Sequence, residues 1–211
     1  MAGGSRSGSA SAVRRLEDPR AIAVEVVRRV ADERAYSNRL LPALLGRSGL
    51  QAGDRQLATE LAYGTLRRMP GIDRALEPLL ERPLAAAPAP ARAALRVGAH
   101  QILNTRIPSH AAVSETVETV PRSQRGLVNA VLRRLAAAPP SPPPSGGGEE
   151  TVAIRTGLNE WAVRELTRLL GSEEEAEAAA AALATPGALS LRTNACRIAR
   201  EDLEDRLREA G

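Results

Sequence analysis

From residue 18 onward the apolar residues recur three and four places apart, which is the spacing of one face of an α-helix. Asp18 and Pro19 predict an N-cap followed by proline at the first helical position, after which Ile22, Val26, Val27 and Val30 share a face. Ser37 is placed to cap a second, short helix through Leu40, Leu41, Leu44 and Leu45, stopped by Gly46 and Gly49. A third opens at Asp54 (GDRQLATELAYGTLRR) with Leu57, Leu61 and Leu66 inward. Its interior Gly64 costs about 1 kcal/mol against alanine, and close approach by a neighbouring helix is the expected compensation. Ile72, Leu76, Leu79 and Leu80 mark a fourth, which Pro78 should kink or split. The fifth carries Leu95, Gly98, Ala99, Ile102 and Leu103 on one face and ends at Pro108. Ser109 caps a sixth with Val113, Val117 and Val120, closed by Pro121. Ser123 caps a seventh with the wide stripe Leu127, Val128, Val131, Leu132 and Leu135. No alternating run interrupts this series, so residues 18–138 read as an all-α helical bundle with short loops.

The pattern breaks at AAAPPSPPPSGGGEE. Consecutive prolines and glycines cannot continue a helix, and residues 139–150 read as a linker. Beyond it, Leu158, Trp161, Ala162, Leu166, Leu169 and Leu170 predict an amphipathic helix with Trp161 as a core anchor. Ser172 and Glu175 fit a capping box on an alanine-rich helix. Thr185-Pro186-Gly187 then turns the chain, and ALSLRTN alternates Leu189 and Leu191 with polar residues, a strand signal. Arg200 to Ala210 is helical again, with Gly211 at a C-cap position. The expected fold class is thus an all-α bundle over 18–138, a short helical segment, and the first β–α unit of an incomplete α+β domain within 151–211. A lone strand leaves its backbone unpaired, so further sequence is expected after Gly211. Residues 1–17, rich in Gly, Ser and Ala, read as a disordered tail.

Composition narrows the function classes. One cysteine and two separated histidines exclude an intrachain disulfide and a structural zinc site, so no metal is expected. Apolar stretches are too short to span a membrane, and no apolar segment follows the N-terminal Arg pair, so the chain is expected to be cytoplasmic. Every basic residue is arginine, which gives a pI near 10.4 at a net charge of only +4. Residues 1–148 hold 21 Arg against 12 Asp and Glu (+9), whereas 149–211 hold 8 against 13 (−5). Contact with nucleic acid therefore belongs mainly to the first part. Three aromatics, Trp161, Tyr36 and Tyr63, are too few for a base-stacking platform.

Three stretches carry a resemblance: DRQLATELAYGTLRR at 54–68, RVGAHQILNTRIPSHAAVSETVE at 96–118 and GLVNAVLRRL at 126–135. They are similar to the N-terminal, NusB-like domain of RsmB (Sun) type 16S ribosomal RNA cytosine-5 methyltransferases. GLNEWAVRELTRLLG at 157–171 and SLRTNACRIAREDLEDRLREAG at 190–211 resemble that family's second RNA-binding region. The resemblance implies ribosomal RNA as partner and S-adenosylmethionine as cofactor of a following methyltransferase domain. That domain's glycine-rich loop and paired Pro-Cys motifs are not in this sequence, so no cofactor is expected in this chain and it is expected to be inactive alone. The glycines at 146–148 follow no strand, and Cys196 is not beside a proline. The same fold also allows a NusB-type antitermination module acting with a ribosomal protein.

The candidate RNA-binding residues are arginines. Arg67 and Arg68 end the third helix and Arg133 and Arg134 lie near the end of the seventh. Cations there suit the helix macrodipole as well as phosphates. Arg106 sits in the turn before a helix start, and Arg14 and Arg15 belong to the basic tail. His100 reads as structural and His110 as a helix-start residue. Asp54, Arg55 and Glu60 read as a capping carboxylate and an intrahelical ion pair, and Asn129 as a buried hydrogen bond to loop backbone.

Overall fold

The computed structural model describes residues 17–141, 147–185 and 191–210. Within them the chain forms α1 (Pro19–Glu33), α2 (Ser37–Gly46), α3 (Ala52–Arg67), α4 (Met69–Leu76), α5 (Ala89–Asn104), α6 (Ser109–Glu118) and α7 (Arg122–Ala137). There follow α8 (Gly148–Thr156), α9 (Glu160–Leu170), α10 (Glu173–Ala184) and α11 (Arg200–Ala210). The apolar spacing placed the helices of the bundle, and local chemistry fixed their ends. The Asp18 carboxylate accepts the Arg20 backbone N–H at 2.8 Å, with Pro19 in the first turn. Ser172 Oγ likewise accepts from Glu175 N at 3.3 Å.

Three predicted serine caps are displaced. Ser37 and Ser109 are the first helical residues and Ser123 is the second, with Tyr36, Pro108 and Pro121 at the cap positions and no side-chain cap bond. The two prolines hold φ near −55°, which sets the entry into the helix without a side-chain acceptor. Pro78 splits the fourth helix as expected: α4 ends at Leu76, Glu77–Leu79 is a 3-10 turn, and Leu80 is extended.

One core joins α1 through α7. It is built from Ile22, Val26 and Val27 of α1, Leu61 of α3, Ile72 and Leu76 of α4, Leu95 of α5, and Val128, Val131, Leu132 and Leu135 of α7. α5 is central and buried nearly all round, packing on α1, α3, α4, α6 and α7. A buried polar link crosses this core. Gln101 of α5 donates to Thr116 Oγ1 at 2.9 Å and accepts from Arg20 Nε at 2.9 Å, tying α1, α5 and α6 together.

Two glycines let helices close on α5. A Cβ at Gly98 would overlap the Leu132 side chain of α7, and one at Gly64 would overlap the His100 imidazole. The neighbour that Gly64 required is therefore α5. Gly64→Ala is expected to lower stability even though alanine gains about 1 kcal/mol of helix propensity, because overpacking a filled core costs roughly 1–3 kcal/mol. Urea denaturation checks the sign; a raised midpoint would show that the imidazole yields at no cost.

A second, smaller cluster, Val152, Ala153, Val163 and Ala180 with Leu158 and Leu166, holds α8, α9 and α10 together. This layer rests on the first bundle through α4 and α8, where Gly71 lies under the Ile154 carbonyl, and at Gly157 (φ +77°), where a Cβ would overlap the backbone carbonyl of Arg67. The expected β–α unit is not formed. Leu191–Asn194 is irregular, and the described residues contain no strand for it to pair with. Leu189 and the C-cap Gly211 lie outside the described residues. α11 forms as expected but makes no extensive contact with another described helix.

Candidate nucleic-acid interface

Arg67 and Arg68 close α3, where the last carbonyls lack intrahelical donors and carry partial negative charge. Both side chains are exposed and, among the described residues, neither has a carboxylate partner. Arg106, two residues beyond α5, is likewise exposed and unpaired among the described residues. Arg133 and Arg134 are exposed on α7 but tethered to their own helix: Arg133 Nε donates to Asn129 Oδ1 at 3.1 Å and Arg134 Nε to the Ala130 carbonyl at 3.3 Å. Asn129 therefore serves Arg133 and not a loop backbone. Arg14 and Arg15 lie outside the described residues.

The helix ends converge on a cleft of about 620 Å³. Arg68, Gly71 and Arg74 line it beside Leu103 and Asn104 at the end of α5 and Pro140 and Ser141 beyond α7. Arg155 of α8 also reaches it, anchored to Glu177. Arg74 is exposed with no carboxylate partner among the described residues. It was missed because it stands alone, with no second arginine beside it; its place in the last turn of α4 was the available signal. Of the candidate arginines only Arg68 lines this cleft; Arg67, Arg106, Arg133 and Arg134 do not.

Four other arginines hold the bundle together. Arg96 makes a two-pronged pair with Asp73 at 2.8 and 2.7 Å, joining α5 to α4, and Arg92 pairs with Asp32 of α1 at 2.6 Å. Arg55 donates to the Leu45 carbonyl at 2.8 Å and so closes α2, in place of the expected ion pair with its neighbours; Asp54 lies in the first turn of α3. Arg125 pairs with Glu118 at 2.8 Å. Exposed guanidinium groups without a carboxylate partner among the described residues thus stand at the break between α3 and α4 and in the turn after α5, and also elsewhere, as at Arg34, Arg47, Arg82 and Arg122.

His100 lies just beneath that end. It is 1% exposed and neither ring nitrogen has a hydrogen-bond partner among the described residues. Burial, helped by the fields of Arg68 and Arg67, lowers its pKa to about 4. Glu60 Oε1 stands 3.8 Å from Nε2, but at that pKa the ring is neutral at pH 7 and the contact is no ion pair. His110, in the first turn of α6, is exposed.

Trp161 is not a core anchor: it is 67% exposed. α9 begins only at Glu160, so Leu158 is not on its face. Val163 sets the buried side of α9, and Trp161, two residues away, points roughly 200° round the helix from it.

Such an arrangement defines an all-helical bundle with a cationic end built from helix C-termini. The model of the NusB family matches residues 17–137, and the chain belongs to that family. Ribosomal RNA small subunit methyltransferase B of Pseudomonas putida is 40% identical over 121 residues, a match covering 56% of this chain and 27% of that protein. The protein of the same name from Sodalis glossinidius is 39% identical over 119 residues, covering 54% and 27%. The matched part of the chain spans about a quarter of the length of these curated relatives. The crystal structure of PH0851 superposes on 90% of this chain and 44% of its own, with a TM-score of 0.63 and 16% identity, a likeness of fold alone. Among the described residues no helix is long and apolar enough to cross a membrane.

Proposed function

We propose that this chain is the RNA-docking portion of a ribosomal RNA methyltransferase that modifies cytosine at C5, and that it transfers no methyl group by itself. The observation that carries the reading is the set Arg67, Arg68, Arg74 and Arg106, exposed at helix ends and unpaired with carboxylates among the described residues. The names of the relatives supply the ribosomal RNA. Guanidinium forks match phosphate oxygens, and neutralising phosphates releases condensed counterions. Docking of this kind orients a structured RNA without reading its bases.

The described residues do not suit S-adenosylmethionine. They contain no strand leading into a glycine-rich turn, and Gly147 and Gly148 open a helix beside Glu149 and Glu150, whose charge does not favour the donor's carboxylate. No step of methyl transfer is assigned to this chain. Tritium transfer from labelled S-adenosylmethionine to 16S RNA is expected to be undetectable with the chain alone.

Polarisation titrations with a labelled small-subunit rRNA hairpin test the docking. Affinity is expected to fall steeply with salt. Replacing both Arg67 and Arg68 by alanine should reduce the log–log slope by about 2, since each phosphate contact contributes roughly 0.9. A wild-type affinity that ignores salt, or a slope unchanged in the double variant, overturns the assignment.

A further inference from the structure

The single tryptophan of the chain stands where the fold makes little use of it. Trp161 borders an open hollow of about 630 Å³ between α4 and the start of α9. Ala153, Ile154 and Leu158 supply its apolar lining; Arg74, Glu150 and Asn159 are among the polar groups around it, with Glu160 next to the indole. Arg74 and Ile154 line both this hollow and the cleft that holds Arg68, so the two spaces share a wall.

We propose that this hollow takes one unpaired nucleobase of the docked RNA, stacked on the Trp161 indole, with flanking phosphates held by Arg74 and Arg68. The inference rests on the RNA reading above and names the form of RNA that the cationic end receives. An indole face offers a stacking surface to any base, and a guanidinium within the same hollow meets the phosphate that accompanies it. The volume lies within the range of small-ligand sites. Bases in a duplex have both faces covered, so the ligand is a single-stranded or looped segment. Glu150 and Glu160 can only accept hydrogen bonds, which favours a base with an exocyclic amino group, cytosine above uracil. The polar border and its continuity with the unpaired arginines favour RNA over a polypeptide, which would call for a wider apolar face. One exposed aromatic makes a single stacking position, which is compatible with a composition too poor for a platform.

Because Trp161 is the only tryptophan, fluorescence excited at the red edge, where Tyr36 and Tyr63 do not absorb, reports this site alone in the 211-residue chain. Titration with oligocytidylate of about ten nucleotides should quench it saturably, oligouridylate should bind more weakly, and a duplex of equal length should leave it unchanged. By polarisation of labelled oligocytidylate, Trp161→Ala should lose about tenfold in affinity while Trp161→Phe stays within about threefold, since stacking survives in phenylalanine. Circular dichroism checks that both variants are folded. If Trp161→Ala binds as tightly as wild type while the Arg67 and Arg68 double variant still shows the lowered salt slope, docking stands and the stacking site falls. If no RNA binds at any salt, both fall. Fluorescence that shifts with protein concentration in the absence of RNA would show a second copy covering the indole, which also overturns the proposal. Equal affinity for cytidylate and uridylate removes the role given to Glu150 and Glu160.

Discussion

Lowering the pH from 6.5 to 4 should cost the folded chain about 3 kcal/mol through His100 alone, and His100→Gln should abolish that part of the loss. The unfolded imidazole binds a proton near pH 6.5, whereas the buried one holds out until about pH 4. Between those values the unfolded state carries more protons than the folded state. Stability is therefore fully present above the unfolded pKa and drains away as the pH falls toward the folded one. At about 1.36 kcal/mol per unit the gap gives the quoted magnitude. The cause is local: the ring is enclosed against Gly64, lacks hydrogen-bond partners among the described residues, and feels Arg68 and Arg67. Glu60, 3.8 Å away and largely exposed, does not offset these. Urea denaturation of both proteins at several pH values isolates the contribution as a difference in slope. Parallel profiles would show that the imidazole titrates normally.

Gly157→Ala is expected to cost about 3 kcal/mol and to loosen α8–α10 from the bundle. The residue holds φ at +77°, where a Cβ costs roughly 1–2 kcal/mol. The new methyl would also meet the Arg67 backbone carbonyl, and a backbone atom at the end of a packed helix has little room to withdraw. The α1–α7 core does not include this contact. The expected signature is an early urea transition for the second layer, with the main unfolding step retained, together with faster proteolysis within α8–α10. A single unshifted transition would show that the joint relaxes freely.

Much of the bundle was legible because its helices follow the simplest rule: apolar residues at 3.6-residue spacing face a common core. Gly64 was readable as a close approach because a glycine inside a helix demands compensation, though nothing in the sequence said that the neighbour would be His100. The errors share a physical origin. The spacing of Trp161 from Leu158 and Leu169 suggested an inward face, but the helix starts after Leu158 and Leu169 is itself exposed, so the buried side is the one that Val163 marks. The alternation around Leu189 and Leu191 suggested a strand, yet a strand exists only with a partner, and no described segment supplies one to Leu191–Asn194. Of the candidate arginines, hydrogen bonds to their own helix set Arg133 and Arg134 apart from Arg67, Arg68 and Arg106, although all five are exposed. Arg92 and Arg96 look no different from them in sequence, but long-range carboxylates from α1 and α4 engage them. Only the tertiary arrangement brings Asp32 and Asp73 to those positions.

The free cations between α3 and α4 are guanidinium groups throughout, and the 211 residues contain no ε-amine at all. Acetyl transfer or succinimidyl esters, which seek primary amines, therefore cannot erase this charge side chain by side chain. Dicarbonyl reagents that condense with arginine are the matching footprinting chemistry, with Arg67, Arg68, Arg74 and Arg106 open to attack and Arg96, clasped by Asp73, shielded.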